Sequence, residues 1–166
     1  MKNMLATWTA AIAVLASGGA LAAHHSLANF DTEKPIQVKG TVVSFERMNP
    51  HSIIFLDQRS EDGQVQRWAV DGPGAFQLDR MGVAKNILKT GDVIEVCGFT
   101  LRGGVPSQRV LPKPTGSSIE SSTPSISGRV MNGHVLVMPD GKKRFWSNYG
   151  LIDKCLAPGE WDTLIR

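Results

Sequence analysis

Ile36-Gln37-Val38-Lys39-Gly40-Thr41-Val42-Val43-Ser44-Phe45 decides how the chain is read. Ile36, Val38, Gly40 and Val42 alternate with Gln37, Lys39 and Thr41, the two-residue period of a half-buried strand. The apolar face then moves to Val43 and Phe45. A glycine at the bend and a one-residue change of phase predict a bulge in a strongly curved strand. Met48-Asn49-Pro50 punctuates it. His51 to Asp57 reads as a second strand, with His51, Ile53 and Phe55 on one face and Ile54 and Leu56 on the other. Glu61-Asp62-Gly63 is a hairpin turn, and Gln64 to Asp71 is a third strand that carries Trp68 and Val70 inward.

Gly72-Pro73-Gly74 stops the sheet. Ala75 to Met81 predicts a short helix ended by Gly82 in the C′ role, and Ala84 to Leu88 adds a further helical turn. Lys89-Thr90-Gly91-Asp92 turns into a fourth strand, Val93 to Leu101, and a fifth begins near Gln108-Arg109-Val110. Three strands, a small helix and two more strands give a mainly β chain, a small OB-like five-stranded barrel with one short helix over residues 35–111; a simple sandwich fits the same order. Residues 112–128, rich in Pro, Ser, Thr and Gly, form an insertion with almost nothing to bury. A C-terminal β-hairpin and tail fill 129–166, with a strand from His134 to Met138, a Pro139-Asp140-Gly141 turn, and Arg144 to Trp146 pairing back.

The N-terminus has a different character. Lys2 is followed by a nearly unbroken apolar run from Ala6 to Leu15, then Ser17-Gly18-Gly19 and the alanine-rich Ala20-Leu21-Ala22-Ala23. This is the order of a secretory signal peptide over 1–22, and the run is too short for a convincing membrane span. Cleavage after Ala22 leaves Ala23-His24-His25 at the new terminus; cleavage after Ala23 leaves His24. No cysteine adjoins the cut to take a lipid, so the expected product is periplasmic, without stable membrane insertion. Residues 23–34 then form an N-terminal histidine-containing segment.

The formal charge is +3 for the whole chain and +2 without the leader, too small an excess to leave an electrostatic footprint for nucleic acid or an anionic surface. The two cysteines, Cys97 and Cys155, match no zinc or thioredoxin-type spacing. In an oxidising compartment they read as a disulfide that ties the tail to the domain, the alternative being two buried thiols.

Several stretches together resemble the DUF6152 family of small exported bacterial proteins. They are Ala23-His24-His25-Ser26, Lys34-Pro35, Lys39-Gly40-Thr41-Val42, Asn49-Pro50-His51, Trp68-Ala69-Val70, Leu88-Lys89-Thr90-Gly91-Asp92 and Met138-Pro139-Asp140-Gly141. The resemblance covers Ala23 to Leu111 well; the Pro/Ser-rich insertion and the cysteine-bearing tail depart from it. It implies a compact β-barrel-like periplasmic domain and brings no activity with it.

The chemistry-bearing residues are few. In NH2-Ala23-His24-His25 the amine, two deprotonated backbone amides and the His25 imidazole wrap a square plane suited to Cu(II) or Ni(II), and Cu(II) tops the affinity order. With His24 as the terminus, its amine and imidazole make a two-toothed brace that a further imidazole, His51, would complete. His24, His25 and His51 together also suit zinc with an open position. The bland alternative is adventitious binding at a terminus and a His51 that merely hydrogen-bonds at a strand end. His134, after Asn132-Gly133, reads as a solvated turn residue. Asp57, Glu61 and Asp62 lack calcium-loop spacing, and Ser26 beside His25 lacks nucleophile-and-base geometry. Lys142-Lys143-Arg144-Phe145-Trp146 has a basic and aromatic character found on single-strand binders, but reads better as a turn leading into a strand with one buried Trp. No catalytic motif stands out. The expectation is a non-enzymatic binding module carrying copper, with zinc or nickel less favoured, through Ala23, His24, His25 and His51. Its alternative is a metal-free adaptor for an envelope protein or small ligand.

Overall fold

The computed structural model describes residues 27–103, 129–147 and 149–165. The expected signal peptide, Ala23, His24, His25, the strand expected from Gln108 and the insertion expected over 112–128 all lie outside them. Among the described residues six strands form one sheet: β1 (Ile36–Glu46), β2 (Ile53–Arg59), β3 (Val65–Asp71), β4 (Val93–Thr100), β5 (Arg129–Val137) and β6 (Lys143–Phe145), with one α-helix, α1 (Ala75–Arg80), between β3 and β4. The sheet order is β3-β2-β1-β4-β5-β6, and a parallel pairing of β3 with β5 closes the first five strands into a barrel. This is the OB-like, mainly β architecture expected from the strand order.

β1 makes closure feasible. Ile36 to Thr41 pairs with β4, whereas Thr41 to Glu46 pairs with β2, so one strand serves both sides of the barrel. The β2 register slips between Val42 and Ser44, where the sequence changes phase. A bulge there adds a residue and bends the strand. Gly40 sits at a close approach to β2: a Cβ would lie 2.9 Å from the Asp57 carbonyl oxygen.

The interior is filled by Val38, Val42, Ile54, Leu56, Trp68, Val70, Ile94, Val96, Met131, Leu136 and Trp146, with Leu78, Val83 and Leu88 capping it from α1 and the following turns. The helix stops as its sequence predicts. Gly82 takes φ 69°; its N–H reaches the Asp79 carbonyl and the Val83 N–H the Leu78 carbonyl. Those two bonds make a Schellman motif, and the accompanying apolar contact is between buried Leu78 and Val83. Residues 84–88 form turns, not a helix. Among the described residues no helix is long and apolar enough to cross a membrane.

The strand that closes the barrel, Arg129–Val137, lies beyond the Pro/Ser-rich stretch and not before it. It also corrects the reading of His134, which is fully buried on β5. Asn132-Gly133 is not a turn here. Glycine is needed at 133 because a Cβ would meet Val70 Cγ1 at 2.6 Å and Trp146 Cδ1 at 3.2 Å. The His134 ring then packs edge-on against Phe99, 5.0 Å between centroids.

Cys97 and Cys155 form a disulfide, with Cα atoms 5.7 Å apart. It sits outside the barrel in a cluster with Val135, Phe145 and Ile152. The tail is held further by Lys143 Nζ to Glu160 Oε1 at 2.7 Å and by an Arg144–Ile165 bridge.

Candidate functional site

Of the residues singled out for binding chemistry, His51 is the one that can be placed. It sits just before β2, in a turn whose geometry is set from two sides. Ser52, fully buried, donates its N–H to the Pro73 carbonyl and accepts at its own carbonyl from the Gly72 N–H. The Met48 carbonyl accepts the Ala75 N–H, and Asn49 Oδ1 accepts the Phe76 N–H. Gly74 permits this contact, because a Cβ there would lie 2.4 Å from the Pro50 carbonyl oxygen. The Asn49–Pro50 peptide is cis. Thus Gly72-Pro73-Gly74, which ends β3 in sequence terms, also forms the seat on which residues 48–52 rest.

Held in this turn, the His51 ring presents Nδ1 to Asp71 Oδ1 at 3.1 Å, with side chains 31% and 11% exposed respectively. The second carboxylate oxygen of Asp71 accepts a hydrogen bond from Asn132 Nδ2 at 3.3 Å. Asp71 and Asn132 are register partners across the parallel β3–β5 ladder. Phe99 pairs with Asn132 on one side, and Ile53 with Asp71 on the other. A single row, Phe99–Asn132–Asp71–Ile53, therefore crosses four strands. Among the described residues the other polar atom of the buried Asn132 side chain, Oδ1, has no hydrogen-bond partner.

The same region of the barrel receives the N-terminal segment. Phe30 bridges to Leu101, the Asp31 N–H donates to the Thr100 carbonyl, and the Arg102 N–H to the Asn29 carbonyl. The described chain thus begins against the end of β4, one residue beyond Phe99 in the row.

Sequence reasoning found His51 but missed Asp71 and Asn132. A signal for Asp71 was present: counting the β2–β3 ladder back from the Gly63 turn sets Asp71 opposite Ile53, on the outward face that His51 shares. Asn132 had no such signal, because its Asn-Gly context favours a turn. Among the described residues no three His, Cys, Asp or Glu side chains gather closely enough to hold a metal ion. Ala23, His24 and His25 lie outside those residues.

Several other charged groups form ion pairs within the fold. Arg67 grips Asp57 through two contacts of 2.7 Å, and hydrogen bonding to that carboxylate raises the guanidinium above its ordinary value. In the basic run before Trp146, Lys142 faces Asp140 at 3.4 Å and Lys143 faces Glu160. Trp146 itself is fully buried in the core, as its context suggested.

The model of a family of unknown function, DUF6152, matches residues 11–108, more than half of the chain. The chain belongs to that family. The matched span takes in β1 to β4, the helix and the His51–Asp71 pair of this member, and ends before β5 and the disulfide-bonded tail. No curated protein sequence matches it. Among solved structures the chain is similar to the mitochondrial single-stranded DNA binding protein Rim1 from S. cerevisiae. That similarity is at 9% identity and TM-score 0.39, over 63% of this chain and 93% of the other.

Proposed function

We propose that this protein is an exported, non-enzymatic binding module that holds Cu(II) at its processed N-terminus, with Ala23, His24 and His25 supplying ligands and His51 of the barrel completing the set. The observation that carries this reading is the His51–Asp71 contact. A histidine whose Nδ1 faces a carboxylate coordinates through Nε2, and such carboxylate partners raise ligand basicity. Imidazoles with a terminal amine suit copper above the other divalent metals.

Placement also supports it. Phe30 sits against Leu101, and from the end of β4 the row through Asn132 and Asp71 leads to the start of β2.

Intact mass of the secreted protein fixes the terminus, and Cu(II) titration of the parent against His24→Ala, His25→Ala and His51→Ala variants tests the ligand set. Weaker binding in the variants is expected. Equal affinity in all of them would refute the reading, and an envelope protein that stays bound after chelation would favour a metal-free adaptor.

A further inference from the structure

We infer that Asp71 and Asn132 are positioning residues for His51, holding its imidazole with the proton on Nδ1 so that Nε2 is the nitrogen offered to a ligand. The inference deepens the reading above and rests on it only for the identity of that ligand. Three observations carry it.

First, Nδ1 and a carboxylate oxygen 3.1 Å apart are two acceptors unless a proton lies between them. The neutral ring must therefore carry its hydrogen on Nδ1, and the lone pair falls to Nε2. Second, Asp71 is not free to turn away. Its other oxygen is tied to Asn132 Nδ2, and both residues are fixed by the β3–β5 ladder. The orientation of the Asn132 amide follows from charge: turned over, its carbonyl oxygen would face the carboxylate.

Third, among the described residues the only hydrogen bond that the buried Asn132 side chain makes is to Asp71. Phe99 on the neighbouring strand walls the row on that side. The result is a chain of contacts from a strand interior to a half-exposed imidazole: Asn132 orients Asp71, and Asp71 orients His51.

The test reads the tautomer directly, in metal-free protein at a pH where His51 is neutral. Two-bond 1H–15N correlation spectra distinguish a protonated Nδ1 from a protonated Nε2. The parent is expected to show Nδ1–H, and Asp71→Ala to shift the ring toward Nε2–H, the form that predominates in unconstrained histidine. Asp71→Asn is expected to keep Nδ1–H. Its Oδ1 can accept from the ring while its Nδ2 donates to Asn132 Oδ1 once that amide turns over. This conservative rescue separates positioning from general loss of structure, and backbone amide shifts of β2 and β5 show that each variant is folded. Nε2–H in the parent, or an unchanged tautomer in folded Asp71→Ala, would overturn the inference. Cu(II) affinity measured on the same proteins should fall about 10–100-fold in Asp71→Ala. A tautomer switch with undiminished Cu(II) binding would uphold the positioning role and sink the copper reading.

Discussion

Breaking the Cys97–Cys155 bond should remove a large share of this protein's stability without changing its native contacts. The two residues are 58 apart in sequence, and closing a loop of that length in the unfolded chain is worth about 4 kcal/mol on the chain-entropy model. The native state loses little by comparison. Val135, Phe145 and Ile152 still cluster with both cysteines, the Lys143–Glu160 pair still holds the tail, and reduced thiols pack as small hydrophobes. Urea unfolding of oxidised and fully reduced protein measures the difference. With a slope of about 2 kcal/mol per molar, the midpoint should fall by about 2 M on reduction. The slope itself should rise, because the unlinked chain expands further when unfolded. Cys97→Ala/Cys155→Ala should behave like the reduced protein, slightly less stable for the lost sulfur packing. A midpoint shift below about 0.5 M, equivalent to about 1 kcal/mol at that slope, would refute the reasoning. It would mean that residual structure already restricts the unfolded ensemble.

Other perturbations isolate single features. Gly72→Ala places a Cβ 2.2 Å from Nε1 of the fully buried Trp146; calorimetry should show a loss of about 1–3 kcal/mol from overpacking, with a changed near-ultraviolet dichroism signal from that ring. Gly82→Ala meets nothing within 4 Å but keeps φ at +69°, so it should cost about 1 kcal/mol for left-handed backbone alone, and Gly82→Asn should cost less. The Lys143 ammonium, with the Ala157 N–H, holds the Glu160 carboxyl below its usual range. A depressed carboxylate contributes stability above its unfolded pKa and loses it as pH falls through the folded value. Parent and Glu160→Gln should therefore differ in urea midpoint at neutral pH and converge below about pH 4.

How far sequence patterns reach is visible in particular residues. The phase change from Val42 to Val43 was legible because strand alternation has a strict period of two, and only an extra residue can break it. The inward Trp68 and Val70, and the separation of Phe55 from Ile54 and Leu56 onto opposite faces, followed from the same rule. The Gly82 stop was legible because helix termini have local chemistry. His134 was misread because Asn132-Gly133 carries a strong turn signal that tertiary packing overrides: Gly133 is demanded by Val70 and Trp146, residues remote in sequence. The closing strand was hard to place because a long Pro/Ser-rich stretch separates it from β4, leaving no hairpin spacing to count. The site was half legible for a related reason. His51 announces itself by type, while Asn132 gains its role only when a parallel ladder sets it beside Asp71.

That ladder also has a consequence for how the chain is made. Asp71 and Asn132 are adjacent in space but 61 residues apart, so a chain emerging N-terminus first can lay down β1 to β4 well before β5 exists. Until then the barrel is an open sheet, with β3 and β4 each presenting a bare edge to any neighbouring chain. Arrival of a single late strand seals both edges at once, and with them the interval in which the protein is most prone to pair with its own copies.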